Sequence, residues 1–434
     1  MNASSAADAR LRELVQLADR ANANGQRDEA RRLIAQAQAV APEHPMVLNA
    51  AAVNELHGGD AGLARTLLER AVAQDGTSAS LWVNLATAFR KLKLPEDEAK
   101  ALERALAIEP RHLLALLQKA ALLETQGKSR AAASVYGNAL ATIPRGARLP
   151  EHLRAPLQRA MEAVARNTAS LESHLAERLR DVRARHAGAA LERVDHCIDA
   201  VLGKRAIYTP SPTFMHFPKV PAWEFYPREH FEWLPTVEAA TAELRAELER
   251  VLAEDADRLE PYIAYPEGAP IDQWKELNHS RRWSAFYLWR EGRPLDDHLA
   301  RCPRTAELLA RLPLADVADH APTVFFSVLD AKSRIPPHTG VTNTRVIVHV
   351  PLVVPPGCGF RVGSQTCEWR PGQAWVFDDT IEHEAWNDSD VPRGILIFDV
   401  WNPFLSEAER DLVRAAVSGI GDYYRGESTP TRFT

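Results

Sequence analysis

The 434-residue chain is poor in several things, and each shortage narrows what it can be. It has four cysteines, Cys197, Cys302, Cys358 and Cys367, and none of them forms a CxxC. Four in a chain this long make no disulfide scaffold, so reduced thiols are expected. Cys358 and Cys367 are spaced to face each other across a hairpin. No run of 18 consecutive apolar residues occurs, so neither a transmembrane helix nor a membrane partner is expected. Positive charge is not in excess. The 52 Lys and Arg against 58 Asp and Glu leave a net charge of −6, which argues against a protein built to hold nucleic acid. The opening residues, MNASSAADARLRELVQLADR, lack a basic segment followed by an apolar one. No secretory leader is therefore expected, and the expected location is cytoplasmic. What is plentiful is apolar side chain, 46% of residues, enough for two to four domains with real cores.

The first third repeats itself. Gly25, Gly59, Lys93 and Gly127 stand 34 residues apart, as do Ala18, Ala52, Ala86 and Ala120. Ala37, Ala71, Ala105 and Ala139 keep the same step, and so do Leu14, Leu48, Trp82 and Leu116. Small residues at fixed places, a turn residue mid-repeat and proline near the end describe two antiparallel helices per repeat. This resembles the tetratricopeptide repeat, with four copies filling residues 1–146. Lys93, Gly76 and Glu98 depart from the pattern. Residues 147–205 read as a capping helix and a connecting helix with a solvated charged face. Stacked helix pairs present a groove, and the expected occupant is a peptide or protein substrate or partner.

From Tyr208 the grammar changes. YTPSPTFMHFPKVPAWEFYPREHFEWLP reads as an ordered arm laid over a domain. Helices are expected over 235–253 and 303–311. Short β runs follow between turn residues: TVFFSVLD, RVIVHVPLVV, GFRVG, TCEWRPG, QAWVFDD and GILIFDVW. Their number and punctuation predict a sandwich or barrel over residues 206–434. The whole is expected to be a multidomain α+β chain, an all-α solenoid followed by a β domain. In RVIVHVPLVV, alternation sets Arg345, Ile347 and His349 on one face and Val346, Val348 and Val350 on the other. The polar face is expected to line a cavity.

His338 sits in IPPHTG, and His383 in FDDTIEHEAWND, read as the end of the strand carrying Trp375, Val376 and Phe377. Two histidines at strand ends are a candidate metal pair, since neutral imidazoles suit Fe(II) and leave positions open. Arg393 lies on the approach to the last strand, and a guanidinium is the natural clamp for a carboxylate. The acids near His383, Asp378, Asp379, Glu382 and Glu384, are expected to hydrogen-bond the imidazoles rather than bind metal.

These residues resemble the aspartyl/asparaginyl β-hydroxylase family of Fe(II)- and 2-oxoglutarate-dependent oxygenases. The resemblance is carried by PHTGVTNTR (337–345), HV (349–350), GC (357–358), FDDTIEHEAWND (377–388), Arg393 and FDVWNP (398–403), with FPKVPAW (217–223) and CPRT (302–305) upstream. It implies a double-stranded β-helix, that is, a jelly roll. It implies Fe(II) held by His338 and His383, with Gly340 where related oxygenases carry an acid. It implies that 2-oxoglutarate is held by Ser327, His349 and Arg393, that Ile347 replaces a family arginine, and that Arg345 meets an acidic substrate group. O2 would be the second cosubstrate, and the reaction would be hydroxylation of an Asp- or Asn-like side chain in a peptide or protein. Other readings stay open: a halogenase using the space beside Gly340, an acyl hydroxylase, or an interaction protein with a degenerate oxygenase domain. The substrate and the oligomeric state are not legible in the sequence.

Overall fold

The computed structural model describes residues 3–144 and 146–425, and divides between Ala190 and Leu191 into two compact units.

In the first unit, helices α1 (Ala3–Ala23) and α2 (Arg27–Val40), α3 (Pro45–Gly58) and α4 (Ala61–Gln74), α5 (Ala79–Lys91) and α6 (Pro95–Ile108), and α7 (Leu113–Thr125) and α8 (Ser129–Leu140) form four hairpins. The 34-residue columns have a physical cause in each case. Ala18, Ala52, Ala86 and Ala120 are completely buried, so any larger side chain there would push helices apart. Gly25, Gly59 and Gly127 turn with positive φ, and Lys93 takes the same left-handed conformation at φ 59°. The break in the glycine column is thus a break in sequence and not in backbone. The long helix α9 (Arg154–Arg185) buries Leu157, Ala160 and Ala163 in one cluster with Ala132, Tyr136 and Ala139 of α8. It caps the last repeat.

The second unit begins with α10 (Glu192–Val201). After the arm come α11 (Leu234–Ala239) and α12 (Thr241–Glu254), then β1 (Glu260–Pro261), β2 (Trp283–Arg290) and β3 (Arg293–Pro294). Next are α13 (Asp296–Arg301) and α14 (Pro303–Leu309). Strands β4 (Val324–Leu329), β5 (Ser333–His338), β6 (Arg345–Val353), β7 (Cys358–Val362), β8 (Gln365–Cys367), β9 (Trp375–Phe377), β10 (His383–Asn387) and β11 (Arg393–Trp401) follow, and α15 (Glu407–Arg425) ends the described chain. The larger sheet has the order β1-β2-β4-β11-β6-β9, with β3 on β2, and the smaller has β5-β10-β7-β8. Two antiparallel sheets ordered in this way are the double-stranded β-helix.

One face of the larger sheet is packed by helix. Val346, Val348 and Val350 of β6 share a core with Leu244, Leu248 and Val251 of α12, all completely buried. A Cβ on Gly394 would stand 2.5 Å from Leu248 Cδ2, so the bare backbone there lets α12 close onto the sheet. The opposite face carries Arg345, Ile347 and His349, as alternation requires, and it looks toward the smaller sheet. The arm is tied down: Asn343 Oδ1 accepts from the Phe217 N–H at 2.6 Å and Asn343 Nδ2 donates to Phe217 O at 2.9 Å. Among the described residues no helix is long and apolar enough to cross a membrane. Cys358 and Cys367 lie in the β7–β8 hairpin, and all four thiols are free.

Candidate active site

His338 ends β5 and His383 opens β10, and the two are direct cross-strand partners. Their ring centroids are 4.0 Å apart. His383 therefore does not finish the strand of Trp375, Val376 and Phe377, as the sequence suggested. It starts a strand of its own, in the other sheet. Strand β5 holds Pro336 and Pro337, which have no N–H to give, and it lies at the sheet edge where none is needed.

The imidazoles are oriented by backbone. His338 Nδ1 meets Pro336 O at 2.7 Å, and His383 Nδ1 meets Ile381 O at 3.0 Å. A carbonyl can only accept, so both Nδ1 atoms carry the proton and both Nε2 atoms keep a lone pair. Burial pushes the pKa of both rings down, for His383 well down, with His338 adding to the effect. Two neutral imidazoles with free Nε2 atoms side by side are what a divalent transition metal requires.

The nearby acids are engaged elsewhere, and none of them hydrogen-bonds an imidazole as expected from the sequence. Asp378 Oδ1 accepts from the Thr380 N–H and hydroxyl, while Glu382 and Glu384 both bind Arg361. Asp379 faces Gly340, where a Cβ would stand 1.9 Å from its Oδ2. The space that a side chain at position 340 would need is thus filled from the β9–β10 turn. Burial raises the Asp379 carboxyl to about 7, with Arg345 opposing the rise. Among the described residues, no three His, Cys, Asp or Glu side chains converge to hold a metal.

The inward face of the larger sheet brings the other candidates together. Arg393 pairs with Leu329 in the β11–β4 ladder and Ser327 with Ile395, so Arg393 and Ser327 point the same way. His349 lies opposite Ile397 on the same face. Ser327 is completely buried, and its Oγ accepts from Trp283 Nε1 at 3.1 Å, leaving its own proton to donate. Arg393 is 1% exposed, and its Nε and Nη2 have no hydrogen-bond partner. The guanidinium sits 4.7 Å over the Trp369 ring. Burial lowers its pKa to about 10, offset in part by the Cys358 thiol. His349 Nδ1 is likewise buried without a partner, and burial with the Arg393 charge holds this ring neutral.

Arg345 is placed differently. It ion-pairs with Asp399, and Asp399 is 1% exposed. Ile347 lies directly opposite Asp399. Sequence reading did not find Trp369, Asp399 or Tyr262 as parts of this face. Trp369 stands outside the short strand β8, and Asp399 is 54 residues from the arginine it pairs with.

Residues 238–403 match the family model described as Aspartyl/Asparaginyl beta-hydroxylase. The chain is 32% identical over 179 residues to the human aspartyl/asparaginyl beta-hydroxylase, covering 41% of this chain and 24% of that protein. It is 30% identical over 187 residues to the ornithine lipid ester-linked acyl 2-hydroxylase of Rhizobium tropici, covering 42% and 62%. It is 34% identical over 153 residues to the human aspartate beta-hydroxylase domain-containing protein 2, covering 34% and 42%. The chain thus spans less than two thirds of each of these relatives. Among solved structures it is similar to a thermophilic TPR protein of Thermus thermophilus, 20% identical with a TM-score of 0.32, covering 41% of this chain and 97% of that one. Residues 238–403 are an aspartyl/asparaginyl β-hydroxylase family domain, and this chain carries it behind helical repeats of tetratricopeptide type.

Proposed function

We propose that the chain is an Fe(II)- and 2-oxoglutarate-dependent hydroxylase acting on a side chain of a peptide or protein. The observation that carries this reading is Arg393. A guanidinium enclosed in protein with two of its nitrogens unmet is costly unless an anion joins it. The distal carboxylate of 2-oxoglutarate is such an anion, and Ser327 has a hydroxyl proton to add. His338 and His383 would hold Fe(II) through their Nε2 atoms. Bound there, Fe(II) with 2-oxoglutarate and O2 supplies the oxidising power that replaces a C–H bond by C–OH.

The remaining work belongs to the protein. The carbonyls of Pro336 and Ile381 keep each imidazole in the tautomer that presents Nε2. Phe360 and Phe377 stand 6.1 and 5.4 Å from His383, centroid to centroid, and keep water from that side. Trp369 fixes the plane of Arg393. The helical repeats are proposed to bind the substrate or its carrier. Polar side chains bridge their neighbouring helices, with Asn84 Nδ2 donating to Asn49 Oδ1 at 2.8 Å and Gln118 Nε2 to Thr87 Oγ1 at 3.0 Å. These partly exposed groups are suited to a peptide's main chain. The test is anaerobic addition of Fe(II) and then 2-oxoglutarate. A weak visible charge-transfer band and aerobic succinate formation are expected. If neither is seen in folded protein, the reading is wrong.

A further inference from the structure

The site holds two guanidinium groups on one sheet face; both keep a buried Nε without a partner, but only one of them has an acid. Arg393 has no acid. Arg345 has one already: its Nη1 donates to Asp399 Oδ2, while Asp399 Oδ1 accepts from the Thr323 N–H at 2.8 Å. With both oxygens held, Asp399 is fixed and cannot swing away to release the arginine. Asp379, against Gly340, is also within electrostatic reach of Arg345. Asp399 alone therefore already matches the charge of this guanidinium. A further carboxylate, brought by a substrate, would be stripped of water and find the charge of this arginine already matched.

Beside this ion pair the same face also offers carbon. Ile347 lies opposite Asp399 and is only partly buried, as are Ile397 and Tyr262. Tyr262 stacks on Phe325 at 5.1 Å. A cationic residue at 347 would face Asp399 and give the site a second positive charge. Isoleucine gives it an aliphatic surface instead.

We propose that the side chain presented to His338 and His383 is uncharged, an amide or aliphatic group rather than a carboxylate, and that Ile347 sets this preference. The proposal rests on the hydroxylase reading, and narrows its substrate class. Arg393 is then the single seat for an anion, and the cosubstrate takes it.

The test uses the full chain loaded with Zn(II), which is redox-inert, and saturated with 2-oxoglutarate so that Arg393 is occupied. Saturation-transfer NMR is recorded with N-acetyl, N-methylamide derivatives of Asp, Asn and Leu, and with octanamide as an acyl-chain probe. The Leu or Asn probe should receive at least about threefold more saturation than the Asp probe, as expected from desolvating an unpaired carboxylate. Ile347→Lys should reverse that order, and Ile347→Gln, which adds length without charge, should not. Melting curves establish that both variants fold. A stronger Asp signal in the unaltered chain, an order unchanged by Ile347→Lys, or silence from every probe each overturns the proposal, whereas a signal from octanamide alone keeps the uncharged class and overturns the peptide or protein substrate. Failure of 2-oxoglutarate itself to receive saturation would instead overturn the hydroxylase reading, so the two failures are distinct.

Discussion

His338 and His383 are direct partners across the β5–β10 ladder, with ring centroids 4.0 Å apart and each Nδ1 held by a carbonyl two residues earlier in the chain. Sheet register, rather than a loop, sets their separation. That makes the pair stiff, and stiffness favours a ligand pair over two rings that meet by chance.

The first expectation follows from it. His338→Ala or His383→Ala removes one of two nitrogen ligands. Titration calorimetry with Co(II) or Fe(II) should show affinity falling by about two decades or more, with succinate formation lost. Asp379→Ala should keep measurable metal binding. Unaltered affinity in either histidine variant would mean that the metal lies elsewhere.

A second expectation separates binding from stability. Without its anion, Arg393 is a buried unpaired charge, so Arg393→Met should stabilise the ligand-free protein, by about 1–4 kcal/mol. The same change should raise the KM for 2-oxoglutarate by roughly one to three decades. Denaturant melts without ligand and kinetics with ligand read the two effects independently. A variant less stable than the parent, with KM unchanged, would show that Arg393 is a structural residue.

The helical repeats and most strands were legible because packing imposed a period on the sequence. The alanine at each 34-residue step is buried in every repeat, and a closely packed helix interface leaves little else to put there. Strand β6 showed its two faces through Val346, Val348 and Val350 alone. Strands β5 and β10 were not legible, although they carry both histidines. A Pro-Pro pair argues against a strand until the strand is known to be an edge, and β10, HEAWN, is short, with an acid inside it. The candidate ligands were visible as residue types. Their second partners, Pro336 O, Ile381 O and Asp399, were not, because backbone carbonyls and a distant acid leave no local pattern.

Asp379 gives a third expectation, in pH. Burial lifts its carboxyl from the ordinary 3.8 to about 7, so the folded state keeps a proton that the unfolded chain has released. Stability from this group is fully present below about pH 4 and is lost as pH rises through about 7. Asp379→Asn abolishes that loss. In metal-free protein it should add about 2 kcal/mol at pH 8, allowing for partial exposure of the group, and little at pH 4. Chemical denaturation at the two pH values measures the difference. An equal effect at both would mean that Asp379 is ionised throughout.

The last expectation concerns the repeats. If they hold substrate, removing them should damage long substrates more than short ones, because binding energy from a remote contact is available only to a substrate long enough to reach it. The place to cut matters. Ending the deletion at residue 146 would strip α9 of the partners that cover Leu157, Ala160 and Ala163. A cut between Ala190 and Leu191 follows the boundary of the compact units and leaves α10 with the β domain. We expect residues 191–434 to be folded by circular dichroism and monodisperse by size exclusion. They should form succinate from 2-oxoglutarate within about threefold of the full chain without a prime substrate, since His338, His383, Ser327 and Arg393 are all retained. Hydroxylation of a full-length protein substrate, read by mass spectrometry as a +16 Da product, should fall by at least about tenfold relative to a short peptide. If the shortened protein is folded and treats long and short substrates in the same ratio as the parent, the repeats serve another partner, and substrate selection belongs to the β domain alone.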